Sequence, residues 1–371
     1  ADIQCANGFK IVVDAVDGET NKGVLDLSAA TESNPITFRS INSNPSAGAW
    51  KGIEFQKKSL ATFNLKYINV YDAEVGFCFT GDTATETYTY PNIKQCSFEN
   101  NIIGVKYKNQ DHTSGTGSDL YLYVDSCSFE NNTIGLALDN TGRLVKRIRW
   151  NQFVDNEYGI YVEGYANSYS SYYNDTYFDI SYNTVTADEA EIGIAAIGRF
   201  YVKIDHNVVD IGESGTGILV GKAYTNYSYF RPSVLGTAPN TYLCESYTPP
   251  SSSSVLVYRI YNNTVIGGYY GIHCHTPHVY GNISVRNNIV LNQCKDPENP
   301  STTGGGIVYV DQGYVPGYTG YNLVYGQEAY AGDDSTSEYM QAYRMIDEFG
   351  FYSIGRCFTT DKYQSAHLTS D

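Results

Sequence analysis

The sequence predicts an all-β chain folded as a single parallel solenoid, a stack of short coils around one apolar interior. Three observations carry this. A unit repeats: QCSFENNIIGV (95–105) returns almost unchanged as SCSFENNTIGL (126–136), 31 residues later. A glycine recurs with it, at 52, 76, 104, 135, 159, 193, 217, 271 and 306. The spacings of 24, 28, 31, 24, 34, 24, 54 and 35 have a floor of 24, which is a fixed turn of chain with loops inserted in it. Around that glycine, apolar and polar residues alternate at period two, the signature of strand rather than helix.

Taken in chain order, residues 1–34 form an N-terminal cap and first strands, because an uncapped coil leaves apolar surface and strand edges exposed. Residues 35–330 form the solenoid. Its columns are chemically specific. Three residues before an Asn/Cys position stand Leu65, Ile93, Val124, Ile148, Ile180, Ile204, Ile260 and Val285. Two after it stand Val70, Phe98, Phe129, Phe153, Val185, Val209, Val265 and Val290. One after the glycine stand Ile53, Phe77, Val105, Leu136, Ile160, Ile194, Ile218, Ile272 and Ile307. Residues 221–257 are the largest insertion, with a TPPSSSS run of loop chemistry. Residues 331–371 form a closing segment.

These registers resemble the right-handed parallel β-helix, or pectin-lyase-like, superfamily over roughly residues 35–330. The resemblance implies a right-handed solenoid of about nine to eleven coils with capped ends and long loop insertions. It also implies that Asn151, Asn183, Asn207, Asn263 and Asn288 form an asparagine ladder. An Asn at a tight turn takes the left-handed conformation and bonds its stacked neighbour, and the glycine suits a sharp corner. Cys96 and Cys127 occupy the ladder position in two adjacent coils. Stacking brings their Cα atoms about 4.8 Å apart, within disulfide range, so a Cys96–Cys127 staple is expected, against two buried free thiols filling the turn.

Composition bounds the partners. The net charge of −16 repels phosphate backbones, so nucleic acid is not expected. No apolar run reaches the length of a membrane span. The chain opens at ADIQCANGF without basic or apolar leader character, so any signal peptide has been removed. Eight cysteines (Cys5, Cys78, Cys96, Cys127, Cys244, Cys274, Cys294, Cys357) are compatible with disulfides, with the other pairings open. Sequons stand at Asn131, Asn174, Asn226, Asn262 and Asn282. Together these favour a secreted or cell-surface glycoprotein.

A solenoid is a scaffold, so chemistry must come from a site. Hydrolysis needs two converging carboxylates. The chain lacks the N-T-D and G-H-G motifs of the polygalacturonase branch, and Asp188, Glu189 and Glu191 read as an acidic turn. A lyase needs a Lys or Arg base. Lys146, Arg147 and Arg149 in RLVKRIRW (143–150) are the candidates, against a structural reading as charge pairs between coils. His273, His275 and His278 are a candidate Cu²⁺ or Zn²⁺ set, with His273 and His275 facing outward, against plain exposed histidines. Stacked Glu99, Glu130 and Asp155 are a candidate Ca²⁺ set. No motif requires a cofactor. Thirty-six tyrosines, eight of them in residues 157–182, suggest a contact surface, set against ordinary packing.

Three functions are therefore expected in order: a glycosylated structural or surface protein that self-assembles into a fibre or surface layer; a secreted lyase acting on acidic polysaccharide; and a non-catalytic carbohydrate-binding or adhesin-like protein.

Overall fold

The computed structural model describes residues 1–14, 25–56, 62–81, 90–109, 120–141, 144–165, 177–199, 201–212, 214–221, 231–236, 257–275, 282–293, 305–310, 318–320, 322–326, 328–332 and 362–363. They form an all-β parallel solenoid. Three sheets of 12, 11 and 9 strands run along it. In one representative coil, Leu144–Arg149 lies in the third sheet, Gln152–Val154 in the first and Tyr158–Tyr165 in the second. Each strand pairs in parallel with its counterparts in the coils before and after.

All three predicted apolar columns are in register and buried. Phe98, Phe129 and Phe153 stack along the axis, with ring centroids 5.1 and 4.7 Å apart and planes within 13°. Each such ring contributes about 1.5–3 kcal/mol of apolar burial, repeated coil after coil.

The glycine column has a different cause from the expected corner. Of its described members only Gly52 has positive φ. From Gly76 to Gly217 the reason is close approach. A Cβ on Gly104 would lie 2.6 Å from the Gly135 carbonyl oxygen, and one on Gly135 would lie 2.7 Å from that of Gly159. Any side chain would force the coils apart.

The asparagine ladder is present. Asn151, Asn183, Asn207 and Asn263 each donate Nδ2–H to the Oδ1 of the next asparagine at 2.9–3.0 Å. Each also reaches the backbone of an earlier coil, as Asn183 does at the Ile148 carbonyl, 2.9 Å. The ladder runs one rung further than expected, from Asn288 to Asn322 at 3.0 Å. A second ladder, Asn101–Asn132–Asn156, runs five residues further along each coil, with links of 3.0 and 2.9 Å. The ladder asparagines do not themselves take the left-handed conformation; the residue before each rung from Asn151 to Asn288, and from Asn101 to Asn156, does.

The expected Cys96–Cys127 staple is not formed: both are free, buried thiols. Each replaces a ladder amide and points along the axis at a backbone carbonyl. Cys96 Sγ donates to Leu65 O at 3.4 Å, and Cys127 Sγ to Ile93 O at 3.7 Å. Cys5, Cys78 and Cys274 are also free, while Cys244, Cys294 and Cys357 lie outside the described residues.

At the N-terminal end, Asp2–Cys5 and Lys10–Val13 are the first strands of the first and second sheets. In the closing segment, Lys362–Tyr363 pairs with Leu323 and Val324. Within the 221–257 insertion, a 3₁₀ turn at Ser233–Leu235 buries Leu235 in a second apolar cluster with Ile134, Tyr161 and Leu219. That cluster lies on the outward face of the second sheet. Arg231 fixes the turn by bonding the buried carboxylates of Asp139, at 3.0 Å, and Glu163.

Candidate functional site

The chain turns from the third sheet into the first through a single left-handed residue per coil. These residues are Tyr67, Gln95, Ser126, Trp150, Tyr182, His206, Asn262 and Asn287, with φ between 53° and 58°. The following residue enters the core as a ladder rung, so the left-handed residue is expelled outward. Non-glycine residues resist this conformation by about 1–2 kcal/mol, Asn and Asp least. Trp150, Tyr67 and Tyr182 therefore hold this corner against their backbone preference.

They form a surface stack. Trp150 and Tyr182 are 52% and 46% exposed. Their rings lie 6.0 Å apart at 20°, and Tyr182 stacks on His206 at 4.8 Å and 19°. Below Trp150 the column narrows to Ser126 and Gln95 before Tyr67. There the surface opens into a groove of about 490 Å³, bracketed by Tyr67 and Trp150 and floored by Asn69, Ser97, Ser128 and Gln152. The floor residues are register partners in successive coils. Cys96 and Cys127 lie at its base. Burial, then the neighbouring Cys96, pushes the Cys127 thiol well above its ordinary pKa, so it is protonated at neutral pH.

Several charges beside this corner are paired. Arg147 bonds Asp125 at 2.6 Å, and Arg149 bonds Asp179. Both pairs join neighbouring coils diagonally, two residues off register. Asp205 accepts from Lys203 at 2.7 Å, His206 at 2.9 Å and Asn262 at 3.2 Å. Burial raises the Asp205 carboxyl, but these bonds outweigh it and its pKa is lowered.

The lyase candidates do not converge. Lys146 points into the solenoid core, fully buried, with Nζ 4.1 Å above the Phe178 ring and no hydrogen-bond partner among the described residues. Burial lowers its pKa well below the ordinary lysine range. Arg147 and Arg149 face outward on the same strand, each tied to its aspartate. Of the histidine set, only His273 is fully described. His273 lies outside the core as expected but is buried, and burial lowers its pKa to about 4. His275 ends the strand Tyr270–His275 with its side chain outside the described residues, as is all of His278.

Glu99 and Glu130 are register partners, but Glu130 continues to Val154. Asp155 stands instead at the left-handed turn that follows, in line with Asn131. Among the described residues no three His, Cys, Asp or Glu side chains are placed to hold a metal ion.

Two described sequon asparagines, Asn131 and Asn262, sit at exposed left-handed turn positions. Asn282 begins a strand with its side chain outside the described residues, and Asn174 and Asn226 lie wholly outside them. The tyrosine run splits: Tyr158 and Tyr161 are buried, and Tyr182 is exposed. Sequence reasoning missed the Trp150–Tyr182–His206 column. Its signal was available, since each residue directly precedes a ladder asparagine.

No family model matches the chain, no curated protein matches it, and no solved structure matches it.

Proposed function

We propose that the chain is a non-catalytic, extracellular carbohydrate-binding solenoid, adhesin-like in its chemistry. The observation that carries this is the exposed Trp150–Tyr182–His206 stack, held in left-handed backbone and opening onto a hydroxyl- and amide-lined groove. Aromatic faces beside neutral hydrogen-bonding groups are what a sugar ring requires, an apolar face with polar edges. Exposed sequons at Asn131 and Asn262 fit a secreted glycoprotein. On this reading the chain is a pectin-lyase-like solenoid of roughly nine to eleven coils. The lyase reading loses its support with Lys146 in the core and both arginines paired. The test is retention of the full chain on immobilised polysaccharides. Retention by the native chain and its loss in Trp150→Asn is the expected result; equal retention of both would sink the proposal.

Self-assembly is the second reading. The strands Asp2–Cys5 and Lys10–Val13 stand first in their sheets, and Ile3, Phe9 and Val12 near them are exposed. Such edges accept a further strand. Sedimentation of the purified chain as a concentration-independent monomer would remove this reading.

A further inference from the structure

We infer that the groove between Tyr67 and Trp150 selects a neutral, hydroxyl-rich glycan laid along the solenoid axis, and excludes uronate polymers. The inference rests on the carbohydrate-binding reading and adds the ligand class and its direction.

The direction follows from register. Tyr67, Gln95, Ser126 and Trp150 are successive members of one column, linked by backbone hydrogen bonds from Tyr67 N to Gln95 O (3.2 Å), Gln95 N to Asp125 O (3.1 Å) and Ser126 N to Arg149 O (3.1 Å). Three coil spacings, about 14 Å, therefore separate the two bracketing rings. Between them the column is cut back to an amide and a hydroxyl. The floor repeats at the same interval: Asn69, Ser97, Ser128, Gln152. A ligand running along the axis meets an equivalent neutral group at each coil. A ligand crossing the axis meets at most one. Past Trp150 the rings of Tyr182 and His206 continue the same line, so a longer chain gains further aromatic contact.

The class follows from charge. Among the described residues lining the groove, Glu32 is the single charged one. The nearest guanidinium groups, Arg147 and Arg149, are already committed to Asp125 and Asp179. Lys66 lies over the outer ring, its Nζ 4.4 Å from the Tyr67 centroid, rather than over the floor. The exposed Lys66 and Lys94 stand beside Tyr67 and Gln95, but no described cation lines the groove itself, so a uronate carboxylate laid in it would give up water without a contact cation, and it would approach a chain of net charge −16. A neutral sugar bears neither penalty. Its hydroxyls exchange water for Ser and amide partners, and its apolar face covers a ring.

The experiment is calorimetric titration of the full chain at physiological salt. The probes are neutral hexasaccharides of β-1,4-glucose, β-1,3-glucose and β-1,4-mannose, their trisaccharides, and hexagalacturonate. The inference expects a neutral hexasaccharide to bind better than its trisaccharide. Trp150→Asn, a residue at ease in the left-handed turn, should weaken it about tenfold. Hexagalacturonate should give no heat. Ser128→Lys, which puts a cation on the floor, should create hexagalacturonate binding that fades with added salt. Tighter binding of hexagalacturonate than of every neutral probe by the native chain would overturn the ligand class while leaving the carbohydrate reading standing. Equal affinity for trisaccharide and hexasaccharide would overturn the axial direction. Silence from every probe would overturn both the inference and the reading beneath it.

Discussion

The two corners flanking the first sheet have the same backbone and different residues. At the second corner the left-handed positions are Asp72, Asn100, Asn131 and Asp155, side chains that tolerate that conformation. At the first they are Tyr67, Gln95, Ser126, Trp150, Tyr182 and His206, most of which resist it, before the column ends in the tolerant Asn262 and Asn287. Both corners feed a buried asparagine ladder immediately afterward, so the folding task is the same. The second corner therefore shows what the turn requires. The first shows what the turn tolerates when outward side chains are wanted for something else. Strain of this kind gathers where function is, and here it coincides with the groove.

The largest expected effect tests the shared part. Asn183→Ala removes the acceptor of two Asn151 donors and the donor to the Ile148 carbonyl. It should cost about 3–5 kcal/mol in urea unfolding, since several buried groups are orphaned at once. Asn156→Ala removes the same kind of acceptor from Asn132 and should cost a similar amount. A cost that differs severalfold between the two would break the equivalence of the corners. The next effect tests what differs. Asn131→Trp should destabilise by about 1–2 kcal/mol, the penalty of a bulky left-handed residue with no stack to offset it. In Trp150→Asn the relief of that penalty and the loss of the stack with Tyr182 roughly cancel, so stability should hold while sugar binding falls. If Trp150→Asn unfolds as readily as Asn183→Ala, the ring is structural and the comparison fails. Smaller again is Cys127→Asn. It extends the ladder downward from Asn151 and replaces a weak thiol donor to Ile93 O, for an expected gain of about 1 kcal/mol in the same unfolding measurement.

What the sequence disclosed divides along the same line. Features fixed by stacking recur once per coil, so the apolar columns, the glycine column and the Asn151–Asn288 rungs were legible. The glycines' reason was not, because close approach to the next coil and a sharp turn leave the same letter in the sequence. The second ladder was printed twice in FENN and once in DNE, five residues after each rung of the first, but the cysteines drew the reading elsewhere. Lys146 was also legible. It stands two residues before core Ile148 on an alternating strand and so must face inward. His273 was not. Alternation placed it correctly outside Ile272 and Cys274, but the outward face it joins is itself buried: the Tyr270 ring lies 4.8 Å from it, and its register partner Leu219 shares a cluster with Leu235 from a distant turn. Distance along the chain hides cover, just as periodicity reveals core.

The smallest effect is electrostatic and has opposite sign at the two corners. Beside the second corner Glu99 stands next to Glu130 and Asp72. Burial first, then those two carboxylates, raises its pKa. Its charged form is disfavoured in the fold, so it weakens the fold above its folded pKa, and the cost is relieved as pH falls below the ordinary glutamate value. At the first corner the Asp205 carboxyl, with Lys203, His206 and Asn262 as donors, has its pKa lowered. Its contribution is complete above the ordinary aspartate value and is lost as pH falls through the folded pKa. Glu99→Gln should therefore raise stability at pH 7 and do nothing near pH 3. Asp205→Asn should lower stability at pH 7 and lose its effect as acidification protonates the native carboxyl. Carboxyl titrations followed by NMR should place the Glu99 midpoint above, and the Asp205 midpoint below, that of an ordinary surface carboxylate. Midpoints in the reverse order would mean that Asp205 is not paired with Lys203 and His206 in solution, and the electrostatic contrast between the two corners would fail.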